Sequence, residues 1–252
     1  MEELIQTIVN KYAAILKDNL TGIYIHGSYA MGCFNPSKSD LDFLVICERM
    51  PTFNQKKRMI QFLMKLEPKA PAKGFEMSLV LKRYCMYFTY PTPYELHYSP
   101  MYRSSFKEDL EGTVLKMHGK DRDLAAHFMV VSHSGICAYG ADIKKIFLEV
   151  PKEAYLNSIE NDIADSKKRL EEEPVDVILN LCRVYYYKKE GVVSSKLSAG
   201  KWAVKNFPHP FDDIVSRACI CYQSDAEYKF HDNEGKLFLD FMKKEGILNE
   251  KK

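Results

Sequence analysis

The stretch His26-Gly27-Ser28 … Ser39-Asp40-Leu41-Asp42 decides the fold of this chain. It joins two apolar runs rich in β-forming residues, at positions 23–25 and 41–46. We therefore expect a strand, a tight turn, a short linker and a second strand, in that order. Because alternate side chains of a strand share a face, Asp40 and Asp42 should point the same way, with Leu41 and Phe43 directed into the core.

The residues of this stretch predict a site for a metal ion and a phosphate. Two carboxylates a few ångströms apart repel each other unless a cation lies between them. Mg²⁺ suits Asp40 and Asp42, since it takes oxygen ligands and often shares them with nucleotide phosphates. Gly27 and Ser28 supply backbone N–H groups and a hydroxyl, which suit a phosphate. A lone D-x-D pair is often a solvated strand end, so the prediction depends on the whole G-S-x-x-x-G-x(6)-S-D-L-D pattern.

Composition limits the class of protein. The 252 residues suit one large or two small domains, and 46% hydrophobic with 28% charged residues is typical of a globular chain. A net charge of +2 argues against a dedicated nucleic-acid binder, and no apolar run is long enough for a membrane span. The acidic N-terminus and seven cysteines without paired metal-type spacing predict a cytoplasmic protein with reduced thiols.

Hydrophobic periodicity divides the chain into two parts. Before Pro151, helical spacing and β-rich runs alternate, which predicts helices at 4–16, 56–66 and 121–137 and further strands at 75–81 and 95–98. After Pro151 the spacing is helical throughout, which predicts helices at 156–170, 175–190, 195–207, 211–222 and 225–244. We expect an α/β (α+β) domain with a mixed sheet over residues 1–150 and an all-α helical bundle over 151–252, with the site between them.

The pattern resembles the nucleotidyltransferase superfamily of polymerase-β-like enzymes. Within that superfamily it is most similar to the aminoglycoside adenylyltransferases, which modify streptomycin and spectinomycin. Further segments in family order carry the likeness, at residues 75–80 (FEMSLV), 179–186 (LNLCRVYY) and 191–203 (GVVSSKLSAGKWA). The resemblance covers most of residues 20–207. It implies a nucleotidyltransferase domain over 1–150, ATP as co-substrate and Mg²⁺ as cofactor.

The resemblance also implies roles for particular residues. It places a third carboxylate at Glu76, beside Asp40 and Asp42, either as the base that takes the proton of the acceptor hydroxyl or as a third metal ligand. The ATP contacts that we expect are Gly27, Ser28, Ser39, Arg183 and Lys196. Arg183 follows apolar residues in its helix, where an unpaired charge would be costly, so it needs an anion nearby.

The acceptor is less clearly indicated. Glu173 falls where the family has an acidic substrate contact, although an acidic helix start is equally common for structural reasons. At Met101 and Tyr102 the chain reads S-P-M-Y-R, where the family has a tryptophan that packs on streptomycin. The chain has one tryptophan, Trp202, elsewhere in the sequence. We therefore favour spectinomycin over streptomycin, with Tyr102 as a substitute for the missing ring.

We interpret the chain as an ATP-dependent O-adenylyltransferase that transfers AMP to a hydroxyl of an aminoglycoside or aminocyclitol and releases pyrophosphate. It is expected to act as a monomer on a small molecule, with no nucleic-acid or membrane partner. One alternative is the same chemistry on a protein or another small molecule. A second alternative is a catalytically inactive nucleotide-binding regulator, whose hallmark would be a missing carboxylate, and Asp40, Asp42 and Glu76 are all present.

Overall fold

The computed structural model describes residues 1–248, and the chain divides into two compact units after Pro151. In the first unit, helices alternate with strands. The helices are α1 (Glu2–Leu16), α2 (Gly27–Ala30), α3 (Phe53–Leu66), α4 (Lys82–Met86), α5 (Arg103–Glu108), α6 (Leu110–Lys116), α7 (Leu124–Ser134) and α8 (Ile143–Ile146). The strands are β1 (Leu20–Ile25), β2 (Leu41–Cys47), β3 (Phe75–Leu81), β4 (Thr92–Tyr94), β5 (Leu96–Tyr98), β6 (Gly119–Asp121) and β7 (Ile136–Gly140).

A five-stranded mixed sheet in the order β5-β3-β2-β1-β7 forms the centre of this unit. The pair β2–β3 is parallel and the other pairs of this sheet are antiparallel, which confirms the predicted mixed sheet. In the parallel pair, Leu41 lies opposite Phe75 and Asp42 lies opposite Glu76. The register therefore places two carboxylates side by side where the central strands begin.

Side chains alternate between the two faces of the central strands, and those of one face lie in the main core. Leu41, Phe43 and Val45 are fully buried in a cluster with residues of α1 and α3. Tyr12 of α1, for example, lies 6.2 Å from Phe43 between ring centroids. The predicted orientation of Leu41 and Phe43 is confirmed, and Asp42 consequently faces the opposite side of the sheet.

The second unit, which begins at Lys152, is helical throughout its described part, as predicted. Its helices are α9 (Lys152–Asn161), α10 (Ser166–Arg169), α11 (Pro174–Glu190), α12 (Lys196–Asn206), α13 (Phe211–Gln223) and α14 (Glu234–Lys244). Helix α12 packs closely at Gly200, where an added Cβ would lie 2.5 Å from Cys219 Sγ and 2.7 Å from Leu179 Cδ2. The close contact explains a glycine in the middle of a helix, where it is otherwise unfavourable.

Several predicted boundaries were wrong. The helix expected at 121–137 spans only Leu124–Ser134, and strands β6 and β7 occupy its two sides. The helix expected at 156–170 is divided into α9 and α10, and the one expected from residue 225 begins at Glu234. Apolar spacing shows which residues face a core, but it does not detect a break in the backbone or an exposed edge strand such as β7. Within residues 1–248, no helix has both the length and the apolar character needed to cross a bilayer.

Candidate functional site

Three carboxylates meet on the face of the sheet opposite the main core. One oxygen from each of Asp40, Asp42 and Glu76 lies within 4.8 Å of the other two, and all three residues are half-buried. Asp40 directly precedes β2, Asp42 is its second residue, and Glu76 is its neighbour on β3. The parallel register is therefore what brings a third carboxylate to a pair that the sequence spacing had already placed together.

The Gly27-Ser28 turn packs directly against this cluster. Gly27 opens α2 with a φ of +62°, and a Cβ at this position would lie 1.8 Å from Asp42 Oδ2. The N–H of His26 donates to the backbone oxygen of Asp42 at 3.1 Å. The Oγ of Ser28 is shielded from solvent and has no hydrogen-bond partner among the described residues. A glycine is required here for conformation and for space, and the free hydroxyl is suited to a ligand.

Ser39 has a structural partner in the linker between the turn and β2. It is buried, and its Oγ accepts a hydrogen bond from Asn35 N–H at 3.1 Å. Its own N–H donates to Asn35 O at 2.8 Å. These two bonds fix the loop immediately before Asp40. The hydroxyl of Ser39 accepts a backbone hydrogen bond and can still donate its own proton, so the phosphate contact of Ser39 stays a prediction.

Two histidines, neither expected from the sequence, border the carboxylate cluster. His127 of α7 places Nε2 3.8 Å from Glu76 Oε1. The ring of His26 lies 4.6 Å from the ring of His127, between centroids, at an interplanar angle of 39°. Burial, and to a lesser extent the neighbouring His127, lowers the pKa of His26 well below its usual range. His26 is therefore a neutral ring at physiological pH.

A third histidine lies on β5, beside the face of β3 that carries Glu76 and Ser78. His97 of β5 is opposite Ser78, and the Nδ1 of His97 is 2.9 Å from the Oγ of Ser78. Burial lowers the pKa of His97 to about 4, against a smaller opposing effect of Asp121. Glu76 and Ser78 alternate onto one face, so a neutral imidazole lies one side-chain position away from the carboxylates.

The predicted contacts of the second unit are already ion-paired with other residues. Arg183 pairs with Asp162, and Lys196 pairs with Asp176. Arg183 was expected to need an anion, and the carboxylate of Asp162 supplies one within the protein. Glu173 accepts from Arg169 at 2.6 Å, and its side chain is about half exposed. Their roles toward ATP and the acceptor stay predictions.

Met101 and Tyr102 differ in how far their side chains are exposed to solvent. Both lie in a 3₁₀ turn, Pro100–Tyr102, that leads into α5. Met101 is 79% exposed, whereas Tyr102 is half-buried with its ring 5.7 Å from that of His97. Tyr102 thus belongs to the aromatic surroundings of His97, and Met101 is available to a ligand.

The carboxylate cluster fits a magnesium ion. Mg²⁺ binds hard oxygen donors, usually one or two carboxylates together with phosphate oxygens. The cluster supplies carboxylate oxygens from three residues, and the missing Cβ of Gly27 leaves backbone rather than side chain against Asp42. Asp40 and Asp42 are the residues that would hold the ion, with Glu76 available as a third ligand.

Comparison with known protein families matches both units. The family described as "Nucleotidyltransferase domain" matches residues 9–94, which include the whole carboxylate cluster. The family described as "Aminoglycoside adenylyltransferase, C-terminal domain" matches residues 145–245. The two matches follow each other in the chain and together span most of it. The chain belongs to the aminoglycoside nucleotidyltransferases.

Individual relatives of this nucleotidyltransferase are distant but extend over nearly the full chain. The spectinomycin 9-adenylyltransferase of Staphylococcus aureus is 23% identical over 224 residues, covering 86% of this chain and 84% of the relative. The aminoglycoside (3'') (9) adenylyltransferase of Escherichia coli is 20% identical, covering 84% and 81%. The fold matches the crystal structure of a spectinomycin adenyltransferase, AAD(9), from Enterococcus faecalis, with a TM-score of 0.79, 19% identity and coverage of 96% and 97%. That crystal structure contains ATP and spectinomycin.

The histidines of this enzyme were missed because no local pattern marks them. His26, His97 and His127 belong to three separate segments, and each is a single imidazole in an otherwise apolar or mixed sequence. His26 carried the one usable signal, since it directly precedes the Gly27-Ser28 turn. The other two become neighbours of the site only through the pairing of β3 with β5 and the packing of α7.

Proposed function

We propose that this nucleotidyltransferase transfers AMP from ATP to a hydroxyl of an aminocyclitol antibiotic and releases pyrophosphate. The observation that carries the proposal is the cluster of Asp40, Asp42 and Glu76 against the Gly27-Ser28 turn. It lies in a chain whose C-terminal part matches the aminoglycoside adenylyltransferase family. Nucleotidyl transfer depends mainly on positioning and charge neutralisation, and this cluster can supply both.

Each residue of the cluster has a proposed role. Ser28 and the backbone N–H groups after Gly27 bind the terminal phosphates of ATP, since the Ser28 hydroxyl has no partner among the described residues. Asp40 and Asp42 hold Mg²⁺, which when bound would offset the negative charge of the phosphates. Glu76 takes the proton from the acceptor hydroxyl as that hydroxyl attacks the α-phosphorus, a contribution of typically about 10²–10⁴-fold.

Spectinomycin is the proposed acceptor in preference to streptomycin. Several relatives are named spectinomycin 9-adenylyltransferases, in Staphylococcus aureus and in Campylobacter jejuni. The chain's one tryptophan, Trp202, belongs to the second unit, where its ring stacks on that of Tyr186 at 4.6 Å between centroids, and neither sequence neighbour of Met101 is a tryptophan. Glu173, Met101 and Tyr102 are the proposed substrate contacts, and Arg183, Lys196 and Ser39 the further ATP contacts.

The reaction is proposed to occur in the cytoplasm, where ATP is available. All seven cysteines are free thiols, which fits a reducing compartment. We propose that the protein acts as a monomer, as expected from the sequence. Size-exclusion chromatography with light scattering tests this assembly directly.

Pyrophosphate release measures the proposed activity. The purified full chain is incubated with ATP and Mg²⁺ and offered spectinomycin, streptomycin and a small panel of aminoglycosides. We expect release with spectinomycin and a much lower rate with streptomycin. The matched blank is Asp42→Asn, which keeps the shape of the side chain and removes the charge that holds the metal. Mass spectrometry of the antibiotic should show the addition of one AMP.

The outcomes separate the proposed acceptor from the proposed chemistry. Equal rates with both antibiotics would contradict the preference for spectinomycin. No release with any antibiotic, while ATP still binds, would move the acceptor to a protein or another small molecule. In Glu76→Gln we expect turnover to be lost while ATP binding persists, because the amide has nearly the same shape but cannot accept the proton. Unchanged turnover in this variant would remove Glu76 as the base.

A further inference from the structure

Helix α7 places His127 beside the face of the sheet that carries Asp40, Asp42 and Glu76. The neighbouring Phe128 is buried and packs against Phe147 and Phe88, at 5.2 Å and 6.4 Å between ring centroids. Leu124 and Ala125, at the start of the helix, are fully buried. Because these apolar contacts fix the helix, the backbone of His127 is held beside the site.

One nitrogen of this imidazole faces Glu76. Nε2 lies 3.8 Å from Glu76 Oε1, and the ring itself rests on His26 at 4.6 Å. Nδ1 is buried and has no hydrogen-bond partner among the described residues. A separation of 3.8 Å exceeds a hydrogen bond, but such contacts often shorten in the complex with substrate. The geometry therefore places Nε2 where it can donate toward the Glu76 carboxylate.

The direction of the Glu76 carboxylate matters for either of its proposed roles. Strand β3 fixes its Cα, whereas the direction of its carboxylate depends on what the side chain contacts, and 32% of that side chain is exposed. A general base must lie within about 2.6–3.2 Å of the proton that it takes. A carboxylate that binds a metal likewise relies on hydrogen bonds from its neighbours to fix its orientation. In either role, a neighbouring donor such as the Nε2 of His127 would help to hold the Glu76 carboxylate in place.

We propose that His127 is a positioning residue, which donates a hydrogen bond from Nε2 to Glu76 Oε1 and directs that carboxylate toward the acceptor hydroxyl. The proposal rests on the proposed function of Glu76. His26 supports the arrangement from behind, because its buried ring stacks against that of His127. His26 directly precedes the Gly27-Ser28 turn. The side chains of His26, His127 and Glu76 therefore follow one another from the proposed phosphate-binding turn to the proposed base.

Two substitutions with one control test the proposal by kinetics. His127→Leu removes the donor at similar volume, and His127→Gln returns an N–H group near the position of Nε2. His133 is exposed on the same helix, so His133→Leu is the matched control. We expect His127→Leu to lower kcat about 10–100-fold, with the KM for ATP changed by less than about twofold. His127→Gln should recover much of kcat, and His133→Leu should change neither constant.

A contrary pattern would overturn the proposal. Unchanged kcat in His127→Leu would do so, as would an equal loss in His127→Gln. A thermal unfolding curve of each variant accompanies the kinetics, because a loss of kcat in an unfolded protein reports nothing about positioning. His127→Gln keeps the proposal testable if the leucine variant does not fold.

A double-mutant cycle shows whether His127 acts through Glu76. Glu76→Asp shortens the side chain by one methylene and withdraws the carboxylate from His127. In the Glu76→Asp variant, adding His127→Leu should lower kcat by a much smaller factor than His127→Leu does in the wild type, because the contact is already lost. Additive losses would mean that His127 affects activity by another route.

A nuclear magnetic resonance measurement tests the contact independently of turnover. The Nε2 resonance of ¹⁵N-labelled His127 should shift when Glu76 is replaced by Gln, whereas that of His133 should stay unchanged. An unshifted His127 resonance would refute the contact. Failure of the wild type to adenylylate any acceptor would instead refute the proposed function, and the resonance would still show whether Glu76 influences the His127 ring.

Discussion

Gly27 is the point at which the phosphate turn and the carboxylates are in closest contact. Any side chain here would push against Asp42, since a Cβ would lie 1.8 Å from Oδ2. We expect Gly27→Ala to displace that carboxylate and reduce kcat/KM about 10²-fold, the effect of a misplacement of roughly 1 Å at a reacting centre. Pyrophosphate release gives the rate.

Gly32 provides the matched control for this substitution. It has a similar φ of +69°, but a Cβ there meets nothing within 4 Å. Gly32→Ala should therefore lose only about 1 kcal/mol of stability from the left-handed backbone conformation and keep its activity. Equal activity losses in the two variants would mean that backbone strain, not contact with Asp42, explains the glycine at position 27.

His97 makes the stability of the protein depend on pH. Burial lowers its pKa to about 4 in the folded chain, against an ordinary value of 6.5. As pH falls from 6.5 to 4, the unfolded chain binds a proton at this site and the folded chain does not, so acid favours unfolding. Between pH 7 and pH 5 this difference removes about 2 kcal/mol of unfolding free energy.

Urea unfolding at the two pH values measures this loss. His97→Gln has no titrating ring at position 97, so it should lose about 2 kcal/mol less than the wild type over the same interval. His26 is present in both proteins, and its contribution cancels in the comparison. Parallel losses in wild type and variant would show that His97 titrates normally in the folded protein.

The residues of the site were predictable to different degrees for a physical reason. Asp40 and Asp42 share a short segment, so the period of a strand places them on one face without any knowledge of the fold. Glu76 joins them only through the parallel pairing of β2 with β3, which the resemblance supplied and the spacing could not. His127 depends on how α7 packs on the sheet, which is a property of the whole unit.

At the scale of elements, helix α12 depends on its first turn. Ser195 is the N-cap, and its Oγ accepts a hydrogen bond from Ser198 N–H at 3.0 Å. Ser195→Ala should reduce the free energy of unfolding by about 1 kcal/mol, because one amide at the helix start loses its partner. The adjacent Ser194 is the control, since its buried Oγ has no partner among the described residues. Chemical denaturation of the two variants should therefore give a clear loss for Ser195→Ala and a smaller one for Ser194→Ala.

Helix starts were predictable where a capping residue marks them. A serine at 194 or 195 was expected to cap α12, and the structure selects Ser195. Helix α3 begins three residues earlier than its apolar spacing suggested, because Thr52 and Gln55 form a capping box ahead of the apolar stripe. Strand β7 had no such marker. Its side chains are mostly exposed, so the alternation that identifies a half-buried strand is absent.

At the scale of the whole molecule, bound nucleotide should stabilise the folded chain. A ligand that binds only the native state contributes RT ln(1 + [L]/Kd), about 2.7 kcal/mol at 100 times Kd. Lys196 is a proposed phosphate contact, so Lys196→Met should weaken MgATP binding by about 1.5–3 kcal/mol, the usual value of a hydrogen bond to a charged group. The rise in melting temperature caused by MgATP should shrink accordingly.

Lys188 gives this experiment a closely matched control. Lys196 pairs with Asp176 and Lys188 pairs with Glu160, and the two lysine side chains are 30% and 27% exposed. Replacing either with Met therefore removes one partly exposed ion pair, worth no more than about 1 kcal/mol. Only Lys196→Met should also reduce the stabilisation by MgATP. If both variants keep the full rise in melting temperature, Lys196 does not bind the phosphates, and its pairing with Asp176 is sufficient reason for its position.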